Sequence, residues 1–463
     1  MTYSYHQHLL KVLVTLYVTA KSMTMTRMMP SECEAYSIIV GLNPALQKRF
    51  ILSNQTPTLV PGNVHRASTV QEGIGGKGQD VAVTLACLSL SPEKSYVHLA
   101  QFLGMGAEGD LALSKLNQAQ AQALVCDSTD SSTHTLSLTI RTKAKLRTCT
   151  TIIANDSATE LVEPSGDILP LEIQLLKEKL EATISNANAN ANANANEGVK
   201  TKIRGICIMG SMPPGCSETL YAELYATIVK QHPRALCVID TVVGLKPLLE
   251  QMKSSHSSGG KHTSMHMLKI NLAELYRLAN IKVSSETSSS MASLEQMESA
   301  LSGFFDAFAD VREALDYIAI TNGCHPAHLI CIVEDTMRII RLHVPDLSLI
   351  KQGPAKVYPI GAGDSVAAGT LAAWEYLETL STDDDIGTST STRLERLDGR
   401  IQSALKRKCD DIDTSGDDDR AAVTSFAFGI ACGSASCVKE ENSVLDIVDA
   451  LTLLEQVKIE SIC

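Results

Sequence analysis

Pro359-Ile360-Gly361-Ala362-Gly363-Asp364-Ser365 runs directly into Val366-Ala-Ala-Gly-Thr-Leu-Ala-Ala-Trp374. The second stretch has the apolar spacing of a helix, so the chain turns at the glycines and enters a helix close to Asp364. An aspartate there is an ordinary cap, but a cap alone needs no glycine on both sides of Ala362. Gly369, inside the helix, costs about 1 kcal/mol relative to alanine, a cost that close packing against another element or a ligand would explain. Free amides at a helix start favour an anion. Gly361, Ala362 and Gly363 could therefore stabilise charge on a transferring phosphoryl group, and Asp364 could take the proton of an attacking hydroxyl.

Upstream, Gly73-Ile-Gly75-Gly76-Lys77-Gly78 separates a strand-like run, Val64 to Val70, from a helical pattern, Asp80 to Leu90. It satisfies G-x-G-x-x-G, so a dinucleotide site has to be weighed. No acidic residue ends the next strand to take a ribose, and the lysine is not needed for a pyrophosphate. No stretch of the chain reads G-x-x-x-x-G-K-[ST]. Successive glycines let a ligand approach the backbone, and Lys77 adds a mobile charge. A sugar or a phosphate fits, against the plainer reading of a tight turn with a solvated lysine.

Outward from these loops the pattern alternates. Ser37 to Leu42 reads as a buried strand, Asp80 to Leu90 as a helix and Tyr96 to Phe102 as a strand. Leu136 to Ile140 and Cys149 to Ile153 read as an antiparallel pair. Gly205 to Met209, Ala235 to Ile239 and Tyr317 to Thr321 are further buried strands with helical pattern nearby. That order predicts an α/β fold with a mostly parallel sheet. Insertions are expected near 185–198, 253–266, 283–300 and 379–420. The alternating Asn/Ala tract from Asn186 to Asn196 reads as a surface loop, and the last insertion is acidic and rich in Ser and Thr. One domain spanning 32–463 carries them all.

Residues 1–31 hold Lys11, Lys21 and Arg27 and a mostly apolar run from Val12 to Ala20. A targeting leader, a disordered extension and a start placed too far upstream all fit; the run is too short to span a bilayer, and the cytoplasm is the default compartment. The 463 residues carry a formal charge of -12, which argues against a nucleic-acid surface but not against a local anion pocket. Thirteen scattered cysteines, an odd number without close pairs, read as reduced thiols.

The two loops, in this order, resemble the signature regions of the PfkB carbohydrate kinases. Gly41-Leu-Asn-Pro-Ala-Leu46 is similar to the T-L-N-P-A opening of the 1-phosphofructokinase and tagatose-6-phosphate kinase branch. Leu146-Arg147-Thr148 sits where that branch has an arginine, Gly210-Ser-Met-Pro-Pro-Gly215 resembles G-S-L-P-P-G, and Lys269-Ile-Asn271-Leu-Ala-Glu274-Leu275 resembles K-P-N-x-x-E-L. The resemblance implies a ribokinase-like three-layer α/β/α sandwich with a small β-sheet lid. It implies a phosphotransferase moving the γ-phosphoryl group of MgATP to a sugar phosphate. Asp364 would be the base, with Gly361, Ala362 and Gly363 as the anion hole. Asn43, Gln47, Gly75, Gly76, Lys77, Asp80 and Arg147 would bind the acceptor, Lys77 and Arg147 clamping its phosphate. Thr321, Gly323, Gly361 and Gly363 would meet the nucleotide, and a small-residue helix, Gly429 to Ser436, would lie beside the adenine. Asn271 and Glu274 would place Mg²⁺ through water, although the same pair can form a capping box. The lid, expected near Phe50 to Val60 and Leu136 to Ile153, could also join a homodimer. No nucleic acid or membrane partner is implied.

Three positions depart from the family pattern. Gln47 stands where an aspartate is usual, Asp80 replaces an asparagine, and Tyr358 stands three residues before Gly361. Asp80 could replace the lost carboxylate from the other side. The rival readings are a kinase of a free sugar or nucleoside, a non-catalytic regulatory protein on the same fold and, more distantly, a dinucleotide-binding oxidoreductase.

Overall fold

The computed structural model describes residues 35–52, 59–89, 96–123, 138–154, 157–193, 202–257, 264–282, 294–333, 336–350, 357–382, 399–412 and 418–462. The expectations for residues 1–31, for the serine tract Ser284 to Ser290 and for most of the acidic stretch after Thr382 lie outside them. The strands are β1 (Ala35–Val40), β2 (Ala45–Leu52), β3 (Ala67–Gly75), β4 (Tyr96–Gly104), β5 (Thr139–Thr142), β6 (Arg147–Ala154), β7 (Ser157–Val162), β8 (Lys202–Met209), β9 (Leu236–Asp240), β10 (His266–Asn271), β11 (Tyr317–Asn322), β12 (His325–Val333), β13 (Thr336–Leu342) and β14 (Ile459–Ser461). The helices that bear on the site are α1 (Lys77–Leu88), α2 (Ala107–Ala123), α3 (Pro170–Ala193), α4 (Leu272–Leu278), α5 (Ala362–Thr382), α6 (Gly399–Asp410) and α7 (Asp418–Ser436).

Ten strands form the main sheet in the order β14-β13-β12-β11-β10-β9-β8-β1-β4-β5. From β5 to β11 neighbours run parallel; β12, β13 and β14 add antiparallel at one edge. The parallel strands are apolar on both faces because each face is covered. Ile39, Cys207 and Val238 point into a core shared with α1, α5 and α7. Their strand neighbours Ile38, Ile206 and Ile239 point the other way, into a core with Leu176 and Leu180 of α3. That alternation is the period of two along a strand, and it yields the expected three layers. Every described cysteine is a free thiol.

A separate four-stranded sheet, in the order β3-β2-β6-β7, forms the lid. Here two expectations fail. The segments read as an antiparallel pair belong to different sheets: β5 pairs parallel to β4 at the edge of the main sheet, whereas β6 pairs parallel to β2 in the lid. β7, antiparallel to β6, is the partner the sequence reading missed. The glycine-rich loop is also only half a loop. Gly73 and Gly75 are paired residues of β3, opposite Gln47 and Ala45, and the turn is made by Gly76 alone, at φ 114°. The lid strand therefore feeds straight into α1.

Two further segments differ from their reading. The Asn/Ala tract is helical as far as Ala193, continuing α3; alanine is the strongest helix former, and the helix before it is already nucleated. Within the acidic stretch, α6 packs Ile401 and Leu405, four residues apart, into the core. Gly369 is explained by packing: a Cβ there would lie 2.7 Å from the Cys432 sulfur, and one on Gly429 would lie 2.1 Å from Thr370 Oγ1. The small residues of α7 are the surface on which α5 lies.

Candidate active site

The carboxyl ends of β1, β8, β9 and β10 meet the start of α5 around a cavity of about 460 Å³. Such strand ends are where open parallel sheets bind ligands. Of the residues expected to act on a substrate, Asn43, Gln47, Gly76, Lys77, Asp80, Arg147, Glu274, Gly361 and Asp364 all line it. Two glycines make the geometry possible. Where the end of β1 crosses the start of α1, a Cβ on Gly41 would lie 2.5 Å from the Gly78 Cα. The approach brings Asn43 and Lys77 into one wall.

The charged centre is a chain of four groups. Asp240, ending β9, accepts from Lys77 Nζ at 2.5 Å and from Lys269 Nζ at 2.5 Å. Lys77 also reaches Glu274 Oε1 at 3.2 Å. Burial opposes ionisation of Asp240, but the two ammonium groups outweigh it and hold its carboxyl below the ordinary range. Burial likewise works against the charged Lys77, and Asp240, Asp364 and Glu274 override it, so the lysine stays protonated. Asp364 has no such clamp. Burial, then the charge of Asp240, push its carboxyl up to about 7, against the pull of Lys77 and Lys269. A carboxyl tuned close to neutrality in a cavity has the character of a general base.

Gly361 holds the turn before α5 at φ 80°, and its carbonyl accepts from Ser443 Oγ at 3.0 Å. A Cβ at Gly361 would lie 2.4 Å from that oxygen. The Ala362 amide donates to Pro359 O, and that of Ser365 to Gly361 O. The amides of Gly363 and Asp364 donate to no carbonyl among the described residues. Of the three residues expected to form the anion hole, Gly361, Ala362 and Gly363, the amide of Ala362 is therefore taken by Pro359 O. A side chain on Gly363 would also crowd Lys269 Nζ, at 3.2 Å from the added Cβ.

Asn43 is locked by Ser165 Oγ, which donates to its Oδ1 at 2.7 Å, and by its own donation to Ser211 Oγ at 3.0 Å. Arg147 enters from the lid and donates to Asn43 O at 2.8 Å. It has no carboxylate partner among the described residues. Lys77, by contrast, is paired with two protein carboxylates, Asp240 and Glu274. Gln47 donates to Thr151 Oγ1 at 2.6 Å. Asp80 lines the same cavity, its Oδ1 buried without a partner, and burial with the nearby Asp364 raises its carboxyl well above the ordinary range. The paired departure at Gln47 and Asp80 does converge on one space. Gly75 lies behind Gln47.

Asn271 and Glu274 form a full capping box at α4, and Glu274, whose Oε1 meets Lys77 Nζ, also lines the cavity. Thr321 pairs with Asn271 at the end of β11, and Gly323 turns into β12 at φ 57°. Both lie at the carboxyl end of β11, an interior strand, and neither lines the cavity. Tyr358 donates its amide to Cys437 O. Sequence reading missed Asp240 and gave Lys269 no role. The available signal was a carboxylate ending an otherwise apolar strand, Leu236-Cys-Val-Ile-Asp240, a position where only a partnered charge is tolerated.

No protein-family model matches the chain. Solved structures do share its fold. A possible 1-phosphofructokinase of Thermotoga maritima superposes with a TM-score of 0.56 at 15% identity, over 92% of this chain and 100% of its own. Phosphofructokinase-2 of Escherichia coli, in complex with fructose-6-phosphate, gives 0.53 at 16% identity, over 91% and 98%. Ribokinase of Giardia lamblia gives 0.56 at 13% identity, over 90% and 98%. The chain has the ribokinase-like fold, and these structural neighbours are carbohydrate kinases of the PfkB type.

Proposed function

We propose that this chain is an ATP-dependent carbohydrate kinase that moves the γ-phosphoryl group of MgATP to a hydroxyl of a sugar phosphate. The observation that carries the reading is Asp364: a carboxyl pushed up to about 7, set on the first turn of α5 and lining the cavity with Asn43, Asp80 and Arg147. In that role Asp364 takes the proton of the acceptor hydroxyl. The free amides of Gly363 and Asp364 face the charge that develops beside it. Asp80, with an unpartnered oxygen, and Asn43 hold sugar hydroxyls, and Arg147 binds the acceptor's phosphate bidentately. The lid strands that carry Gln47 and Arg147 exclude water from the cavity.

The residues fit MgATP at the helix start, where amides without partners suit a phosphate. Glu274, which lines the cavity, would hold Mg²⁺ through water. Among the described residues no cluster of three His, Cys, Asp or Glu side chains forms a metal site by itself. MgATP supplies the phosphoryl group and the counter-charge; the chain supplies orientation, the base and a dry cavity.

A second reading keeps the fold and takes a free sugar or nucleoside as acceptor. It is favoured by the paired Lys77, which leaves Arg147 as the cation without a carboxylate partner among the described residues that line this cavity. ATP turnover by the purified chain decides between them, with fructose 1-phosphate, tagatose 6-phosphate, fructose 6-phosphate, ribose, fructose and adenosine as acceptors and Asp364→Asn as control. Turnover of a phosphorylated sugar that collapses in the variant supports the main reading. Turnover of neutral acceptors alone replaces it with the second, and no turnover with any of them makes a regulatory role on the same fold the reading to beat. The lid also carries exposed apolar side chains, Val64, Val70, Leu161 and Val162, and we assign them to contact with a second copy, to be tested by sedimentation. Among the described residues no helix is long and apolar enough to cross a membrane.

A further inference from the structure

A second cavity, of about 340 Å³, lies beside the first between the lid, α2 and the segment after α7. Arg49, Gln71, Lys115, Glu440, Glu441 and Asn442 are among its walls, and Gln47 and Asn442 belong to both cavities. Arg49 sits two residues beyond Gln47 on β2 and so shares its face. Its side chain is 5% exposed, and no hydrogen bond or ion pair closes on its guanidinium among the described residues. A buried charge without a partner is costly, and burial pulls the arginine below its ordinary value although Asp80, Glu441, Tyr358 and Glu440 all face it.

The surrounding groups define what would relieve it. Glu72 is taken by Lys48 at 3.3 Å, and Glu440 accepts from Gln71 Nε2 at 2.6 Å. Glu440 keeps its charge in that bond, so Glu440 and Glu441 together face the two cations Arg49 and Lys115, yet neither closes a hydrogen bond or ion pair on the Arg49 guanidinium among the described residues. Asn442 Oδ1 and Gln71 Oε1 are buried acceptors without donors, and Asn442 is 8% exposed. The cavity therefore offers a fork for an anion and two acceptors for hydroxyl groups.

We propose that this second cavity is an anion subsite for a small hydroxylated molecule carrying a phosphate or a carboxylate, with Arg49 as the group that receives the charge. Because it shares Gln47 and Asn442 with the first cavity, a molecule long enough to reach both would be held at Arg49 while its hydroxyl faces Asp364. The subsite itself does not depend on phosphoryl transfer.

The test is a calorimetric titration of the full chain, without nucleotide, using glycerol 3-phosphate, glycerate and neutral glycerol as probes. Wild type should bind at least one of the two anions and not glycerol; preference between them assigns the phosphate or the carboxylate. Arg49→Met should weaken that binding by about tenfold or more, the scale of a lost charged hydrogen bond, while Lys177→Met, which removes a surface lysine paired with Glu223, keeps it. Should Arg49→Met not fold, Arg49→Gln is read by the same titration. Binding unchanged in the Arg49 variant, binding weakened equally in Lys177→Met, or no anion binding by wild type at millimolar concentration would each overturn the proposal.

Discussion

Replacing Asp364 by asparagine keeps the shape of the side chain and removes its charge, so two consequences can be separated. In the unfolded chain the carboxyl ionises at its ordinary value of 3.8; in the folded chain it does so at about 7. Below about pH 4 both states are protonated, and the residue contributes nothing to stability. Between about pH 4 and 7 only the unfolded chain is ionised, so folding loses about 1.4 kcal/mol per pH unit. Above about pH 7 the loss is complete, at most about 4 kcal/mol by the same conversion. The carboxyl faces a cavity that water can enter, which makes this a ceiling. Asparagine carries none of this cost. Urea denaturation of both proteins should therefore give equal stability near the acid end and a more stable variant above neutrality. Turnover should fall by about 10²–10⁴-fold, the contribution of a general base, and wild-type turnover should rise with pH towards a plateau above about 7. A variant no more stable than wild type at about pH 8 would refute the raised carboxyl, and unchanged turnover would refute the base.

Asp240→Asn should destabilise by about 3–5 kcal/mol at neutral pH, because two buried ammonium groups lose their counter-charge. Since that carboxyl is held low, the wild-type advantage belongs to pH above about 4 and shrinks as pH falls below it; guanidinium denaturation across pH reads both effects. Arg147→Met should raise the KM for a phosphorylated acceptor about tenfold or more with kcat kept, and leave a neutral sugar unaffected. Gly429→Ala places a Cβ 2.5 Å from the Val366 carbonyl oxygen, a backbone atom that cannot swing away. It should cost about 1–3 kcal/mol, seen as a lower Tm without loss of kcat in the protein that remains folded.

Most strands and helices of the main sheet were legible because the period of apolar residues is a local property. Ile38 and Ile39 point to opposite faces whatever surrounds them, and the run Gly361 to Asp364 makes a turn into a helix from its own composition. Pairing was not legible, and the antiparallel reading of β5 and β6 failed for that reason. Two short apolar strands close in sequence look like a hairpin, yet β6 bonds to β2 and β5 to β4, partners that lie far along the chain. The long α3 was missed for a different reason: an alternating tract with nothing to bury reads as loop, whereas alanine extends a helix already begun.

By itself, then, the sequence singled out residues that the fold brings to one cavity: Asp364 and Gly361 of one loop, Lys77 of the other, Glu274 and the lid arginine Arg147. Only the tertiary structure decided how those charges are shared. Lys77 is paired with Asp240 and Glu274, Asp364 is left unclamped and shifted, and Arg49 is buried beside a second cavity. The reason is that a charge's state depends on which other charges and how much water lie within a few ångströms, and those neighbours come from strands whose order along the sheet is not their order along the chain.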